Sequence, residues 1–527
     1  MGWHLGFGRL PTVLLILSAF ATGCIKVGPD YAQPPVDTAA NWLDAQDPRL
    51  KTNAMEQRNW WKVFNDPVLD RLIDAAYRQN LPLRVAGIRV LEARAQLGIV
   101  VGELYPQVQQ AFGALQYNRL SERAVQGAFS RIFNYTQSQI GLTASWELDF
   151  WGRFRRAVES ADYTLLASLA DYDNTLVSLT ADVALAYILI RTAEKRLEIA
   201  RRNLETQRES LRIAEARFRG GTTSQRDVEQ ARTVLASTEA MIPALDITLR
   251  QSTNALSVLL GMPPTDLTEW LAGGPSGIPV APPVVAVGIP AELLRRRPDI
   301  RLAELQAAAQ SAQIGVAKAD LYPAFSLTGQ FGFLAADVGK ASLSDMFDWR
   351  SRFGSIGPTV RWNILNYGQI TNRVRMEDAR LQELLIQYQN AVLTAQREVE
   401  DNLIAFLKSG DRARFLAEST EAALRSLDLA VLQYRQGITD FTTVLTAQQA
   451  LLNEQDNLAN TLGDIARSLV GVYRALGGGW EIREGQDVVP ESVKRVMAER
   501  TDWGRMLSPA FYLPPPEPKP LVRPPDW

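Results

Sequence analysis

The chain has 527 residues, of which 46% are hydrophobic and 22% are charged, and its formal net charge is −2. These values are typical of a folded protein with room for two or three domains, and they exclude a disordered chain. The balanced charge provides neither the basic surface of a nucleic-acid-binding protein nor a strong acidic field. Nucleic acid is therefore not an expected partner.

The N-terminus has the pattern of a secretory signal. Arg9 supplies the positive charge, and the apolar core at 10–20 is too short to span a bilayer as a helix. The small residues at 21–24 resemble the cleavage box of a bacterial lipoprotein, in which residues 1–23 are removed and Cys24 becomes the lipid-bearing first residue. Ordinary cleavage, with Cys24 incidental, is the alternative.

Few residue types in the chain suit nucleophilic or metal chemistry. His4 is the only histidine and Cys24 is the only cysteine, so the processed chain has no histidine and no other thiol. This excludes histidine-based triads, cysteine nucleophiles and nearly all zinc or haem sites. No motif indicates a carboxylate-pair enzyme. The sequence predicts a protein that is not an enzyme and needs no cofactor.

The two halves of the chain repeat each other. Residues 84–106 align with 301–323 at an offset of 217, and both stretches end in Leu-Tyr-Pro. Beyond that point the offset is 216, and it matches Trp146 with Trp362, Gly152 with Gly368 and Gly221 with Gly437. We interpret the chain as a tandem duplication of one structural unit.

Each repeat is predicted to contain a helix, two strands, a very long helix and a return helix. The predicted helices are 83–103, 153–219 and 224–260 in the first repeat, and 299–320, 369–436 and 441–476 in the second. Pro243 is expected to interrupt the first return helix. Both long helices carry a heptad seam, and 67 residues correspond to about 100 Å. Gln207 breaks the first seam, whereas the second is more polar, with Asn402, Ser409 and Thr420 on it.

Four segments alternate apolar and polar residues as strands do, namely 108–117, 139–150, 325–333 and 355–364. Lengths of about ten residues suit strands that span a bilayer. Four strands cannot close a membrane barrel, and lipid does not tolerate open strand edges, so a membrane location requires oligomerisation. A soluble pair of hairpins that caps a coiled coil is equally compatible with the pattern. Pro358 is the weak position, because proline removes a ladder donor.

Three motifs between Cys24 and Trp480 are specific in combination. They are Cys24-x-x-Val27-Gly28-Pro29-Asp30-Tyr31, Trp60-Trp61-x-x-Phe64-x-Asp66-Pro67-x-Leu69 and Leu293-Leu294-Arg295-Arg296-Arg297-Pro298-Asp299-Ile300. With the Leu-Tyr-Pro helix ends and the glycine turns, they resemble the outer membrane factor (TolC-like) efflux proteins. The resemblance is to the lipoprotein branch that serves resistance-nodulation-division pumps.

The resemblance implies a mixed membrane protein, mainly α, that assembles as a homotrimer. Four strands per chain would form a twelve-stranded transmembrane β-barrel in the outer membrane, and the long helices an α-helical, coiled-coil barrel across the periplasm. The implied partners are outer-membrane lipid, a periplasmic adaptor and an inner-membrane, proton-driven resistance-nodulation-division transporter. The protein would be anchored at Cys24 and extend into the periplasm.

The expected organisation of the chain follows from the repeats and the resemblance. It comprises the signal peptide 1–23, a lipid-anchored equatorial segment 24–66, the first repeat 67–260 with a strand pair at 107–150, an equatorial connector 261–290, the second repeat 291–476 with a strand pair at 324–366, and a polar, Pro-rich tail 477–527. The tail is expected to be extended and mobile from residue 481 onward.

By resemblance, the glycine turns are the periplasmic tips, where the channel closes at rest. The implied gate is a bond between Asp227 and Tyr434 of neighbouring chains. From the residues alone, helix-dipole stabilisation is the favoured role of Asp227, and Tyr434 fits a seam position. The implied adaptor-docking residues are Arg219, Gly220, Gly221, Thr222, Arg435, Gly437, Ile438 and Thr439.

Two tip positions depart from the family pattern. Thr446 stands where the second repeat often has an acid that forms a selectivity ring, and Thr439 where a basic residue sometimes occurs. A negative ring would need another residue, such as Asp440.

The predicted function is a passive exit duct for small molecules in a tripartite efflux pump. A protein-secretion (type I) outer-membrane channel and a lipid-anchored periplasmic coiled-coil scaffold without a pore are the alternatives. The sequence does not specify the substrates, the transporter or the adaptor.

Overall fold

The computed structural model describes residues 25–36, 38–51, 58–121, 123, 134–275, 277–288, 290, 296–339 and 341–508. The predicted signal peptide, Cys24, residues 291–295 of the third motif and the tail from 509 lie outside these residues. The helices of the described part are α1 (Pro67–Gln79), α2 (Leu81–Gly102), α3 (Arg153–Arg219), α4 (Gln225–Leu259), α5 (Thr268–Leu271), α6 (Pro298–Ala319), α7 (Gln369–Arg435), α8 (Phe441–Ala475) and α9 (Glu491–Arg500). The strands are β1 (Leu50–Lys51), β2 (Val108–Arg119), β3 (Asn134–Leu148), β4 (Val285–Ala286), β5 (Ala324–Ala336) and β6 (Arg352–Arg361).

The two repeats have the same order of elements. The first is α2-β2-β3-α3-α4 and the second is α6-β5-β6-α7-α8. The long helices α3 and α7 each have 67 residues, and each follows a glycine with positive φ, Gly152 at 76° and Gly368 at 84°. The indole of Trp146 donates to the carbonyl of Leu104, and that of Trp362 donates to Leu321. The duplication therefore extends to individual hydrogen bonds.

Short polar side chains cap the first two helices at their N-termini. The carboxylate of Asp66 accepts a bond from the Val68 amide at 2.9 Å, and Pro67 occupies the first helical position of α1. Asn80 accepts from the Leu83 amide at 2.9 Å and so starts α2. These caps satisfy amides that lack a partner inside the helix. Helix α1 was not predicted from the sequence, although its Asp-Pro start is visible there.

The return helix α4 differs from the prediction. Helical structure continues from Gln225 to Leu259 with Pro243 inside it, so the expected interruption is wrong. Pro243 is exposed, and water can pair with the backbone carbonyl that proline leaves free. The proline therefore costs the helix one internal bond without interrupting it.

The strands β2, β3, β5 and β6 form one antiparallel sheet in that order. The register pairs Leu142 with Phe331 and Trp146 with Leu327, so one face is apolar. All four predicted strands exist, but β3 begins at Asn134 rather than 139, and β6 spans Arg352–Arg361 rather than 355–364. Within the chain β6 is an edge strand, and an edge tolerates Pro358.

The main core lies around the middle of α3. Tyr187, Ile188 and Ile190 are fully buried there, and they belong to a cluster that also contains residues of α1, α2 and α8. An 18-residue window of α3 is apolar enough to cross a membrane, with a mean hydropathy of 1.6, but 72% of it is buried in the chain. That burial is typical of a core helix.

The N-terminal segment and the connector form a belt around this core. Strand β1 pairs in parallel with β4 of the connector. Further along the belt, Trp60 stacks on Tyr473 of α8 with ring centroids 5.1 Å apart. Both segments contribute side chains to the main core, among them Leu50 and Val285. Their equatorial role stays a prediction.

The C-terminal segment differs from the expected extended tail, which is wrong for residues 481–508. Arg483 forms an ion pair with Asp173 of α3, and burial raises the pKa of that carboxyl. Val488 is buried where its carbonyl meets Gly87 of α2, and a side chain at Gly87 would overlap it. Helix α9 follows and buries Met497. The segment is ordered because α2 and α3 supply the apolar surface that it lacks alone.

Candidate functional site: the helix tips and the four-stranded sheet

The first tip ends α3 with a glycine turn. Gly221 has φ 72°, and its amide donates to the carbonyl of Phe218 at 3.0 Å, while the Thr222 amide donates to Arg217 at 2.9 Å. These two bonds form a Schellman motif, in which the positive φ requires glycine. The chain then reverses directly into α4.

The second tip has the same backbone. Gly437 has φ 75°, its amide donates to Tyr434 at 3.1 Å, and the Ile438 amide donates to Gln433 at 2.9 Å. The structure therefore places both predicted turns at equivalent helix ends. The side chain of Thr442 also donates to Gln230 of the first return helix, which holds the two tips together.

Asp227 lies buried in the first turn of α4. Its carboxylate accepts hydrogen bonds from the hydroxyls of Thr223 and Ser224 in the preceding turn. The Arg226 guanidinium lies 3.5 Å from one carboxylate oxygen. The carboxylate is thus held by its own tip, and within the described chain it makes no bond with Tyr434.

Tyr434 is the central side chain of the tip core. Its ring packs on Phe441 with centroids 5.1 Å apart, and the Arg217 guanidinium carbon lies 4.1 Å from its ring centroid. The ring is 8% exposed, yet its hydroxyl has no hydrogen-bond partner among the described residues. A buried hydroxyl without a partner is costly, so this group is available to a partner outside the chain.

The predicted docking residues surround this core on the outside. Seven of them are exposed, and Thr439 is half-buried. Ile438 is the large apolar side chain among them, with 70% of its surface exposed. At the start of α8, Asp440 accepts bonds from the amide and hydroxyl of Thr443, and these bonds hold the pKa of Asp440 below its usual value.

A polar layer crosses the helices above the tip core. The Gln448 amide donates to Ser210 at 2.7 Å, and the side-chain amide of Gln207 is buried without a partner among the described residues. Apolar clusters lie on either side, around Leu197 and around Ala214. Gln207, the residue that breaks the first heptad seam, therefore lies in a polar layer between two apolar clusters.

The sheet at the other end is curved toward its polar face. A Cβ atom on Gly332 would lie 2.8 Å from the Cα of Gly141, and one on Gly141 would lie 2.7 Å from the carbonyl of Phe331. On the apolar face the nearest atoms to such a Cβ are 3.3 Å away at Gly354, 3.6 Å away at Gly329 and 3.8 Å away at Gly113. Neighbouring strands thus converge on the polar side, which is the concave side.

The convex side presents large apolar side chains to the surroundings. Ile356 is 81% exposed, and Leu142, Val360 and Phe331 are also exposed. A soluble protein rarely exposes so extended an apolar sheet face. The concave side carries polar residues, among them Gln139, Thr143 and Ser145 of β3.

The family model of the outer membrane efflux protein matches residues 72–262 and 289–478, which are the two repeats. The chain belongs to this family. The resemblance stated from the motifs is therefore confirmed, and the two matched ranges coincide with the duplication.

Individual efflux proteins are similar over nearly the whole chain. The solvent efflux pump outer membrane protein SrpC of Pseudomonas putida is 34% identical over 491 residues, which are 91% of this chain and 99% of that protein. The pyoverdine export outer membrane protein OpmQ of Pseudomonas aeruginosa is 31% identical over 444 residues, which are 82% of this chain and 89% of that protein. The predicted role in outer-membrane efflux is confirmed.

Solved structures of outer-membrane channels have the same fold. The outer-membrane channel OprN has a TM-score of 0.80 and 35% sequence identity, over 86% of this chain and 100% of that one. The fold of this chain is thus that of the outer-membrane channels, mainly helical with two repeats. The assignments of the lipid site, the gate and the docking tips stay predictions.

Proposed function

We propose that this efflux protein forms a passive, trimeric exit duct through the outer membrane and across the periplasm. Energy would come from an inner-membrane transporter of the resistance-nodulation-division class, joined through a periplasmic adaptor. The protein itself would catalyse no reaction and need no cofactor. The observation that carries the proposal is the curved sheet, which is apolar outside and polar inside, at the end of helices about 100 Å long.

The edges of the sheet support closure by other copies. Within the described chain, β2 and β6 each pair on one side only. Unpaired backbone groups are not tolerated in lipid, so a sheet in the bilayer must pair β6 with β2 of the next chain. Three copies would give about twelve strands, within the range of known membrane barrels.

The helices support the same ring of copies. Helix α6 of the second repeat packs on α3 of the first, but the equivalent pair, α2 and α7, does not pack within the chain. Helix α7 carries an exposed apolar stripe, which consists of Ile386, Leu393, Ile404, Phe415 and Leu429. These residues recur at steps of 7, 11 and 14 and so lie on one line of the helix. We infer that α2 of a neighbouring chain covers this stripe.

The start of the described chain supports a lipid anchor at Cys24. The Val27 amide donates to the carbonyl of Trp151 at 3.0 Å, at the junction between β3 and α3. Arg156, which is 1% exposed, binds the carbonyls of Val27 and Gly28 and fixes the segment there. Three residues span about 10 Å, so acyl chains on Cys24 would reach the membrane boundary of the sheet.

The resting gate is proposed to be a bond from the Tyr434 hydroxyl to Asp227 of a neighbouring chain. Because that hydroxyl has no partner among the described residues, Tyr434→Phe removes nothing from the isolated chain and keeps the packing on Phe441. We expect Tyr434→Phe and Asp227→Ala to raise the resting conductance in planar bilayers. Thr446→Ala is the control, since its hydroxyl bonds only within α8. Unchanged closed-state conductance in both variants would refute the gate.

The adaptor is proposed to dock on the two tips. A photo-crosslinking residue at Thr222 or Ile438 should capture the adaptor in whole cells, because both positions are exposed at the tip. The same crosslinker at Trp349, which is exposed at the sheet end, is the matched control. Capture from Trp349 alone would contradict docking at the tips.

The duct itself is tested with purified protein. We expect a heat-resistant oligomer from outer-membrane fractions and discrete single-channel currents in planar bilayers. A periplasmic scaffold without a pore would give neither result. The relatives named above are an efflux and an export protein for solvents and pyoverdine, which favours small-molecule export over protein secretion.

A further inference from the structure

One row of residues crosses all four strands on the concave face of the sheet. Phe112 of β2 is opposite Gly141 of β3, which is opposite Gly332 of β5, which is opposite Phe353 of β6. Three strand spacings separate β2 from β6, or about 14 Å in a flat sheet. The two rings nevertheless have centroids 6.4 Å apart. Both rings therefore lean inward over the glycines.

The glycines make the room that the rings occupy. A Cβ on Gly141 would lie 2.8 Å from the ring of Phe112, and one on Gly332 would lie 3.0 Å from the ring of Phe353. Any larger residue at either position would displace a ring. Both rings are half-buried. One part of each ring therefore covers the backbone of a glycine, and the other part faces the concave space.

The surroundings of the ring pair are mainly polar. The next residues on the same face are Gln139 and Thr143 along β3, and Gln330 and Leu334 along β5. Leu334 is the apolar one of these four neighbours. The pair is thus an aromatic patch on a wall that is mainly hydrophilic. In the proposed duct this wall faces the water-filled lumen.

We propose that Phe112 and Phe353 form a weak contact site for aromatic and other apolar cargo on the luminal wall. This inference rests on the proposed function, because it requires the concave face to line a pore. An aromatic molecule in transit loses part of its unfavourable hydration when it lies on the two rings. A single small patch per chain binds weakly enough for the cargo to leave, as conduction requires.

The test is block of single-channel current by tetraphenylphosphonium, added on the side of the strand loops. Tetraethylammonium is the matched cation without aromatic rings. We expect the wild-type channel to be blocked by the aromatic cation at concentrations at least several-fold lower. In Phe112→Leu/Phe353→Leu this preference should fall several-fold, because leucine fills the space over the glycines without an aromatic face.

Two controls separate contact with cargo from a structural role. Phe333→Leu lies on the apolar face of the same sheet and should leave the block unchanged. Heat resistance of the oligomer should be the same in the double leucine variant as in the wild type. An unchanged preference for the aromatic cation in that variant overturns the contact site. Absence of any wild-type current overturns the duct itself, and with it this site.

Discussion

The two long helices have the same length and the same caps, but their environments differ. On α3, Phe218 at the tip is the one large hydrophobic residue that is exposed, whereas α7 exposes eight. Helices α1, α2, α4, α6 and α8 and the C-terminal segment pack on α3, while α7 is covered by α6 and α8. The two repeats thus contain two helices of equal length, one that forms the core of the chain and one with an exposed stripe that we propose another copy covers.

The largest effect is expected from a charge on the apolar stripe of α7. Leu393→Glu places the charge on the surface of the single chain but would bury it in the proposed contact with a neighbouring chain, at a cost of several kcal/mol. We expect the heat-resistant oligomer to disappear while far-UV circular dichroism still shows helices.

The control for this variant is Gln387→Glu. Gln387 follows Ile386 and points about 100° away from the stripe, and its side chain is exposed. It should leave the oligomer intact. A stable oligomer in Leu393→Glu would show that chains do not meet on this stripe.

A matched pair of isoleucines gives the next effect. Ile188 of α3 and Ile404 of α7 are equivalent at the 216-residue offset, and they are 0% and 38% exposed. Ile188→Ala should destabilise the chain by about 2–5 kcal/mol, because it leaves a cavity in the core.

Ile404→Ala should instead act on assembly. We expect the oligomer to dissociate at a lower temperature, with little change in the chemical unfolding of the dissociated chain. Equal losses of chain stability in both variants would contradict the different roles assigned to α3 and α7.

The smallest effect concerns the starts of the two return helices. The side chain of Asp440 caps α8, whereas Ser224 makes no cap bond to α4. Asp440→Ala should speed amide hydrogen exchange in the first turn of α8, and Ser224→Ala should leave exchange in the first turn of α4 nearly unchanged.

The cap at Asp440 also depends on pH. Bonds from Thr443 lower the folded-state pKa of Asp440 below its usual value of 3.8. Its stabilisation is therefore present above pH 3.8 and is lost as the pH falls through the lower folded-state value. Asp440→Asn keeps a capping side chain and should remove this dependence.

The sequence predicted the regular parts of the fold well. Stretches without glycine or proline delimited α3 to the residue, and the positive-φ glycines at both tips were recognisable from the repeat. It did not predict the order of the C-terminal segment, because Val488 and Met497 become core residues only through contact with the rest of the chain.

The site was predictable to the same extent. The glycine turns were predicted at the residues where the structure has them, while the gate role of Tyr434 stays a prediction. The bonds of Asp227 to Thr223 and Ser224 depend on side-chain geometry. The curvature of the sheet could not be predicted from the sequence either. Gly141 and Gly332 bend it only because the register sets them side by side, and no single strand specifies the register.

The N-terminal segment bears on the position of the molecule relative to the membrane. Beyond the anchor point at Trp151, the segment runs along α7, where Ala39 donates to Gln396 and Arg49 pairs with Asp411. A lipid on Cys24 would then fix the depth of the protein in the membrane, since the acyl chains and the apolar sheet must enter the bilayer at the same level. Lengthening the chain between Cys24 and Val27 would weaken this constraint on depth and leave the helical part unchanged.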